Sequence, residues 1–260
     1  MAKRESVLGV IPARYGSTRF PGKPLALISG QPMIRLVYQR CRRARLLDRL
    51  VVATDDRRIF DCVLGFGGQA VMTSRRHRSG SDRVAEVVRR PEFRGFGIVL
   101  NIQGDEPLII PSAIDRLARA MIADQSQPMA TLGTRFSDLA EAHSPNTAKI
   151  VMDRKGQALY FSRHPIPYVR DGRADPGQHY IKHVGIYAYR RDFLLRFTQS
   201  PPGRLERLEK LEQLRVLEMG QPIRVVMTRY SRPAVDCPGD VARVEDHLAG
   251  VRPAKPDRTR

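Results

Sequence analysis

Five short apolar runs, each stopped by a turn-forming or polar residue and followed by a helix-like segment, constrain this chain more than any other feature. Residues 7–11 run Val-Leu-Gly-Val-Ile into Pro12, and residues 50–53 run Leu-Val-Val-Ala into Thr54-Asp55-Asp56. Further runs occupy 69–72, 98–102 and 129–132. Short runs of this kind predict strands buried on both faces. Between them, Pro32 opens a helix that keeps Met33, Leu36, Val37, Cys41 and Ala44 on one face. Ile59, Phe60, Val63 and Leu64 pair at i,i+4 on a short helix ended by Gly65. Residues 81–88 read as helix, and Pro111-Ser112 opens another. The βαβα alternation predicts an α/β fold: a mostly parallel sheet with helices on both faces.

The second half changes character. Residues 148–152, 158–161 and 184–189 are β-like runs separated by Gly, Pro and Asp, which predicts a smaller mixed-sheet lobe with a projecting loop over 165–178. Leu205, Leu208, Leu211, Leu214 and Leu217 recur every third position along a charged segment, predicting one helix over 205–219 before Gly220. A strand at 223–227 and a closing helix at 238–248 follow. With no internal repeat and no low-complexity linker, residues 1–250 read as one domain, its halves spanning 7–135 and 145–230, and 251–260 as a basic tail.

The formal net charge is +18, and 38 of the 45 basic residues are Arg. That excess points to anionic partners, a class that includes nucleotides and acidic sugars as well as nucleic acids. Aromatics make up only 7%, Trp is absent, and no basic–aromatic interleaving occurs, which argues against a nucleic-acid surface. No run of ~18 apolar residues exists, so no membrane insertion is expected. The N-terminal stretch ends at Pro12 without a small-residue cleavage site, so no signal peptide is expected either. Cys41, Cys62 and Cys237 form no CxxC pair, which fits a reducing cytoplasm and no disulfide framework.

In an open parallel sheet, ligands bind beyond the carboxyl ends of the strands. The loop after the first strand carries Arg14, Arg19 and Lys23 with Gly16 and Gly22. Fixed cations on a Gly-containing loop suit a polyphosphate, and equally a basic surface loop. Pro24 after Lys23 excludes a P-loop. Gln103-Gly104-Asp105-Glu106-Pro107 follows the fourth strand, where Asp105 reads as a Mg²⁺ ligand or as a turn residue. Asp236, after the last strand, reads as a second ligand or as a helix N-cap. Ser79 and Gly80 read as contacts to a base edge or as part of a capping cluster. His179 and His183 have HxxxH spacing, but strand-like flanks place them roughly 13 Å apart, which argues against zinc.

Taken together and in this order, the 11–25 loop, His77-Arg78-Ser79-Gly80, Gln103-Gly104-Asp105-Glu106-Pro107, Tyr160-Phe161-Ser162-Arg163, His183-Val184-Gly185-Ile186-Tyr187, Leu211-Glu212-Gln213-Leu214-Arg215 and Val235-Asp236 closely resemble the 3-deoxy-manno-octulosonate cytidylyltransferase (CMP-Kdo synthetase) family. The resemblance covers about residues 7–248 and implies a Rossmann-like nucleotidyltransferase fold. It implies CTP and the acidic sugar Kdo as substrates, CMP-Kdo for lipopolysaccharide synthesis and pyrophosphate as products, and a cytoplasmic homodimer. The 7–135 half becomes the nucleotide-binding part and 145–230 the sugar-binding and dimer lobe. Arg14, Arg19 and Lys23 would grip the triphosphate, with Ser79, Gly80 and Gln103 on the cytidine side. Asp105 and Asp236 would anchor Mg²⁺, and with Arg14 and Lys23 form the catalytic set. Arg163 would meet the sugar carboxylate, while His183, Tyr187, Glu212 and Gln213 line the sugar pocket. Two departures stand out. The approach to Asp236, residues 231–234, has no Gly, and Cys237-Pro238-Gly239-Asp240 replaces the usual Thr-Pro-Glu-Asp. His164 and the loop to Gln178 lie near the expected sugar pocket, which keeps a related acid such as 8-amino-Kdo, or a non-catalytic relative, as alternative readings.

Overall fold

Val7–Ala13 is apolar throughout and forms β1, the strand around which the sheet is assembled. A computed structural model describes residues 4–17, 19–170, 174–230 and 233–250; the expected tail and Ser231-Arg232 lie outside the described residues. After β1 the chain forms a one-turn 3₁₀ helix at Lys23–Leu25, a small hairpin of β2 (Leu27–Ile28) and β3 (Gln31–Pro32), and α1 (Met33–Cys41). There follow β4 (Arg49–Thr54), α2 (Arg57–Gly65), β5 (Ala70–Met72), α3 (Gly80–Arg89), β6 (Ile98–Asn101), α4 (Pro111–Ala123) and β7 (Met129–Arg135). The second half adds α5 (Leu139–His143), β8 (Lys149–Met152), β9 (Ala158–Ser162), α6 (Pro176–His179), β10 (Ile181–Arg190) and α7 (Arg191–Gln199). It closes with α8 (Arg204–Glu209), α9 (Leu214–Glu218), β11 (Ile223–Met227) and α10 (Asp240–Leu248).

The main sheet has the order β11-β7-β10-β6-β1-β4-β5. β6, β1, β4 and β5 are parallel neighbours, as the alternation predicts. The long β10 then inserts antiparallel between β6 and β7, separating strands that the sequence pattern leaves adjacent. Its reason is burial: Val184, Ile186, Tyr187, Ala188 and Tyr189 face both sides of the sheet and need cover on each. β8 and β9 extend the same sheet from β10 through antiparallel pairs, where the sequence pattern predicts a smaller mixed-sheet lobe. One core, with α1, α4 and α10, fills one face, and a second, with α3 and α7, fills the other.

The expected single helix over 205–219 is two short helices. Lys210 adopts a left-handed backbone (φ 54°) and ends α8. A strict period of three cannot keep every Leu on one face of a 3.6-residue helix. Leu208 is accordingly exposed while Leu211 and Leu214 are buried. The break also turns Glu209 toward Ser162 and Arg163.

Candidate active site

Two cavities open along the carboxyl ends of the parallel strands and share Arg19 as a common wall. The first, of about 330 Å³, lies over the ends of β1 and β6 and the start of α3. Its basic side is the 14–23 loop. The Tyr15 carbonyl accepts the Ser17 and Gly22 N–H groups at 3.0 and 2.9 Å. Gly22 has φ 70°, and a Cβ there would stand 3.1 Å from the Tyr15 ring, so only glycine closes this loop without displacing the tyrosine. The Arg58 guanidinium lies 3.4 Å over the opposite partner of that contact, the Tyr15 ring, and is itself held by both Asp56 oxygens at 2.9 and 2.7 Å. Arg14, Arg19 and Lys23 line the cavity from this loop.

The facing wall comes from Ser79, Gly80, Gln103 and Asp105. Ser79 is the N-cap of α3 in a capping box with Asp82, as the capping reading has it, and it also lines this cavity. The positive end of α3 therefore opens toward the basic loop. Gly104 packs where a Cβ would come within 3.0 Å of the Pro12 carbonyl, which lets the 103–105 turn close onto the end of β1.

Lys23 joins the two aspartates. Its Nζ donates to Asp105 Oδ2 at 2.6 Å and to the Val235 carbonyl at 2.9 Å, and stands 3.9 Å from Asp236 Oδ1. The Val235 N–H donates to the Asp105 carbonyl at 3.0 Å, tying the two segments together. Arg19 reaches Asp236 at 3.3 Å. Asp236 does not cap α10: Gly239 holds the N-cap position, and the Asp240 carboxylate accepts the Asp236 and Cys237 N–H groups. Two carboxylates drawn to one ammonium are a donor set that fits a hard divalent cation. Among the described residues no group of three or more His, Cys, Asp or Glu side chains could hold a metal. A Mg²⁺ here would therefore complete its shell with substrate oxygens and water, as that ion commonly does.

The second cavity, of about 800 Å³, is lined by Arg163, His183 and Tyr187 and reaches Asp236. A bulge shapes its floor. Register slips in β10 between Val184 and Tyr187, so that Val184 faces Leu132 and Tyr187 faces Thr131. Buried Thr131 sits at the slip, its hydroxyl 2.9 Å from the Ile186 carbonyl and 3.0 Å from His183 Nε2. A hydroxyl that gives its proton to a carbonyl accepts from the imidazole, which assigns the His183 proton to Nε2. The His183 and Tyr187 ring centroids are 5.4 Å apart. Burial pushes the His183 pKa down to about 3, so its imidazole is neutral. Burial also raises Glu106, on the same cavity, to about 7, while the Tyr230 hydroxyl donates to it at 2.8 Å.

Gln213 and Glu212 stand behind these walls and line neither cavity. Gln213 Oε1 accepts the Tyr187 hydroxyl at 3.1 Å, and among the described residues its buried Nε2 has no hydrogen-bond partner. Glu212 accepts the Ser81 hydroxyl at 2.7 Å, linking the 211–215 segment to the first turn of α3. His179 Nδ1 accepts the Asp175 N–H at 2.8 Å. Sequence reasoning missed Tyr15 and Arg58, which brace the basic loop. It also missed Arg83, which lines the first cavity and pairs with Asp55 at 3.0 Å. A signal was present in Arg83, a charge flanked by the apolar Val84 and Ala85 of a core-facing helix.

Known proteins are similar to this chain in sequence and in fold. A family model described as cytidylyltransferase matches residues 8–223. A 3-deoxy-manno-octulosonate cytidylyltransferase of Syntrophobacter fumaroxidans is 54% identical over 94% of this chain and 97% of its own length. Its counterpart in Syntrophus aciditrophicus is 51% identical over 95% and 98%. A solved structure of CMP:2-keto-3-deoxy-manno-octonic acid synthetase complexed with CTP superposes with a TM-score of 0.88 at 44% identity, covering 94% of this chain and 99% of that one. A 4-diphosphocytidyl-2C-methyl-D-erythritol synthase of Anaerococcus prevotii, at 14% identity and a TM-score of 0.62, shares the fold.

Proposed function

This chain belongs to the cytidylyltransferase family, and from that premise we propose that it transfers CMP from CTP to Kdo, releasing pyrophosphate. The observation that carries this reading is the meeting of Lys23, Asp105 and Asp236 where the basic cavity adjoins the one lined by Arg163, His183 and Tyr187. The anomeric hydroxyl oxygen of Kdo forms a bond to the α-phosphorus as the bond to the β-phosphate oxygen breaks. Pyrophosphate takes the bonding pair, and the hydroxyl proton passes to solvent. Such a transfer needs alignment and charge neutralisation more than covalent chemistry.

The residues divide the work. Arg14, Arg19 and Lys23 neutralise the triphosphate, and Lys23 also follows the charge that grows on the leaving pyrophosphate. Ser79, Gly80 and Gln103 hold the cytidine end. Asp105 and Asp236 would hold Mg²⁺, which when bound supplies further positive charge at the phosphate oxygens. Arg163 meets the sugar carboxylate from the wall of the second cavity. Tyr187 lines the sugar side, and its hydroxyl is fixed from behind by the Gln213 amide. The CMP-Kdo product serves lipopolysaccharide synthesis in the cytoplasm. The same reading includes a homodimer, which sedimentation at micromolar protein tests.

The deciding experiment supplies Mg²⁺, Kdo and each of the four nucleoside triphosphates in turn and follows pyrophosphate. Release with CTP and Kdo alone is expected. No release with any pair from folded protein overturns the reading.

A further inference from the structure

Lys149 begins β8 and is completely buried. Lysine is almost never found in such a place without a partner, and none of the ion pairs among the described residues involves it. Its Nζ instead donates to three backbone carbonyls: Ser144 at 2.7 Å, Thr147 at 2.7 Å and Arg163 at 2.6 Å. An ammonium has three N–H groups, so every donor is used, each in a short charge-assisted bond. Two of the acceptors belong to the 144–147 turn and the third is Arg163 itself. The same turn supplies the Pro145 carbonyl that accepts Arg163 Nη1 at 2.8 Å.

The rest of the Arg163 side chain is held as firmly. Its Nε donates to the Glu209 carbonyl at 2.7 Å and its Nη2 to the Lys210 carbonyl at 3.3 Å, while its own N–H donates to the Glu209 carboxylate at 2.9 Å. Three of five guanidinium N–H groups are thereby taken and two remain for a ligand. Ser144, Thr147 and Arg163 line the larger cavity, whereas Lys149 does not. Whatever Lys149 does for a ligand, it does through them.

We propose that Lys149 is a positioning residue for the sugar acid: it welds the Arg163 backbone to the 144–147 turn, so that the free N–H groups of Arg163 are presented to the carboxylate in one orientation. The inference rests on the reading that Arg163 meets that carboxylate. A loosened arginine still carries its charge but loses alignment, and a shift of about 1 Å is enough to cost tenfold or more.

Steady-state kinetics with Kdo and CTP varied separately tests this in Lys149→Met, Arg163→Ala and the double variant. Lys149→Met is expected to raise the KM for Kdo roughly tenfold while the KM for CTP stays within about twofold. In the Arg163→Ala background, Lys149→Met is expected to change the Kdo KM by less than about twofold, because its effect runs through the missing side chain. If Lys149→Met does not fold, Lys149→Gln, which keeps two N–H donors, gives the same readout with a smaller rise. A Kdo KM unchanged in the folded Lys149 variant but raised in Arg163→Ala overturns this inference alone, as does an additive double variant. A Kdo KM unchanged in Arg163→Ala overturns the carboxylate role of Arg163 and the inference with it.

Discussion

Lys23 Nζ and Asp105 Oδ2 meet at 2.6 Å although 82 residues separate them, and Asp236 Oδ1 stands 3.9 Å from the same nitrogen. The ammonium balances two carboxylates that would otherwise repel across a half-buried junction. Divalent cation and triphosphate would replace that balance, the cation facing the carboxylates and Lys23 turning to phosphate. Asp105→Asn and Asp236→Asn are each expected to lower kcat by roughly 10²-fold or more and to raise the Mg²⁺ concentration for half-maximal rate. Melting temperatures close to that of the parent protein would show that the fold is kept. A rate and metal dependence unchanged in both variants would remove these residues from the reaction.

Lys23→Met leaves the two carboxylates facing each other without a counter-charge. The transfer rate is expected to fall by roughly 10²-fold, since the charge proposed to follow the leaving pyrophosphate is lost. The variant should also bind CTP more weakly, measured by calorimetry without Kdo. Normal CTP affinity together with a normal rate would assign Lys23 a structural part only.

Much of this site was legible because parallel strands put chemistry at their carboxyl ends, and Arg14, Lys23 and Asp105 each follow such an end. Asp236 was legible only as one of two readings. Its side chain became distinguishable from an N-cap once Asp240 was seen to accept the Asp236 and Cys237 N–H groups. The insertion of β10 between β6 and β7 was not legible, because local periodicity records burial on both faces but not which neighbours supply it. The break at Lys210 was hidden for a similar reason. What stabilises it is the set of bonds from Ser162 and Arg163 to Glu209 and the Lys210 carbonyl, partners nearly fifty residues earlier in the chain. Lys149 carried a visible signal, a lone cation heading the run Ile150-Val151-Met152, yet its three carbonyl acceptors exist only in the folded loop.

Arg58 is the outer brace of the basic loop. It stacks 3.4 Å over Tyr15, whose carbonyl in turn closes the loop through Gly22. Arg58→Leu is expected to raise the KM for CTP roughly two- to fivefold through a looser loop, with the KM for Kdo unchanged. Gly22→Ala should do more damage, because it combines a left-handed backbone with a Cβ 3.1 Å from the Tyr15 ring. Equal KM values for CTP in the parent and both variants would dismiss the bracing role.

Tyr187 donates to Gln213 from a buried position, and Gln213 Nε2 already lacks a partner. Tyr187→Phe strips the Gln213 amide of the hydrogen bond from Tyr187 while preserving the packing against His183 and Tyr189. It is expected to cost about 1–2 kcal/mol of stability in urea unfolding. The KM for Kdo should rise several-fold and the KM for CTP should not. A stability loss without a change in either KM would make the pair purely structural.

His183 sets an acid limit on stability. Its pKa of about 3 in the folded chain lies below the ordinary value of 6.5, because burial beside Phe161 and Tyr187 disfavours the imidazolium. Between those two values the unfolded chain binds a proton that the folded chain does not, so the unfolded state gains as pH falls. The stability is fully present above pH 6.5 and is lost progressively as pH drops toward 3. At pH 5 the loss amounts to about 2 kcal/mol. His183→Gln retains an amide for the Thr131 hydroxyl and does not titrate. Urea unfolding of both proteins at pH 7.5 and pH 5 is expected to show a smaller acid-induced loss in the variant, by about 2 kcal/mol. The same loss in both proteins would mean that His183 is solvated and ionises normally, and the neutral imidazole on the floor of the second cavity would then be wrong.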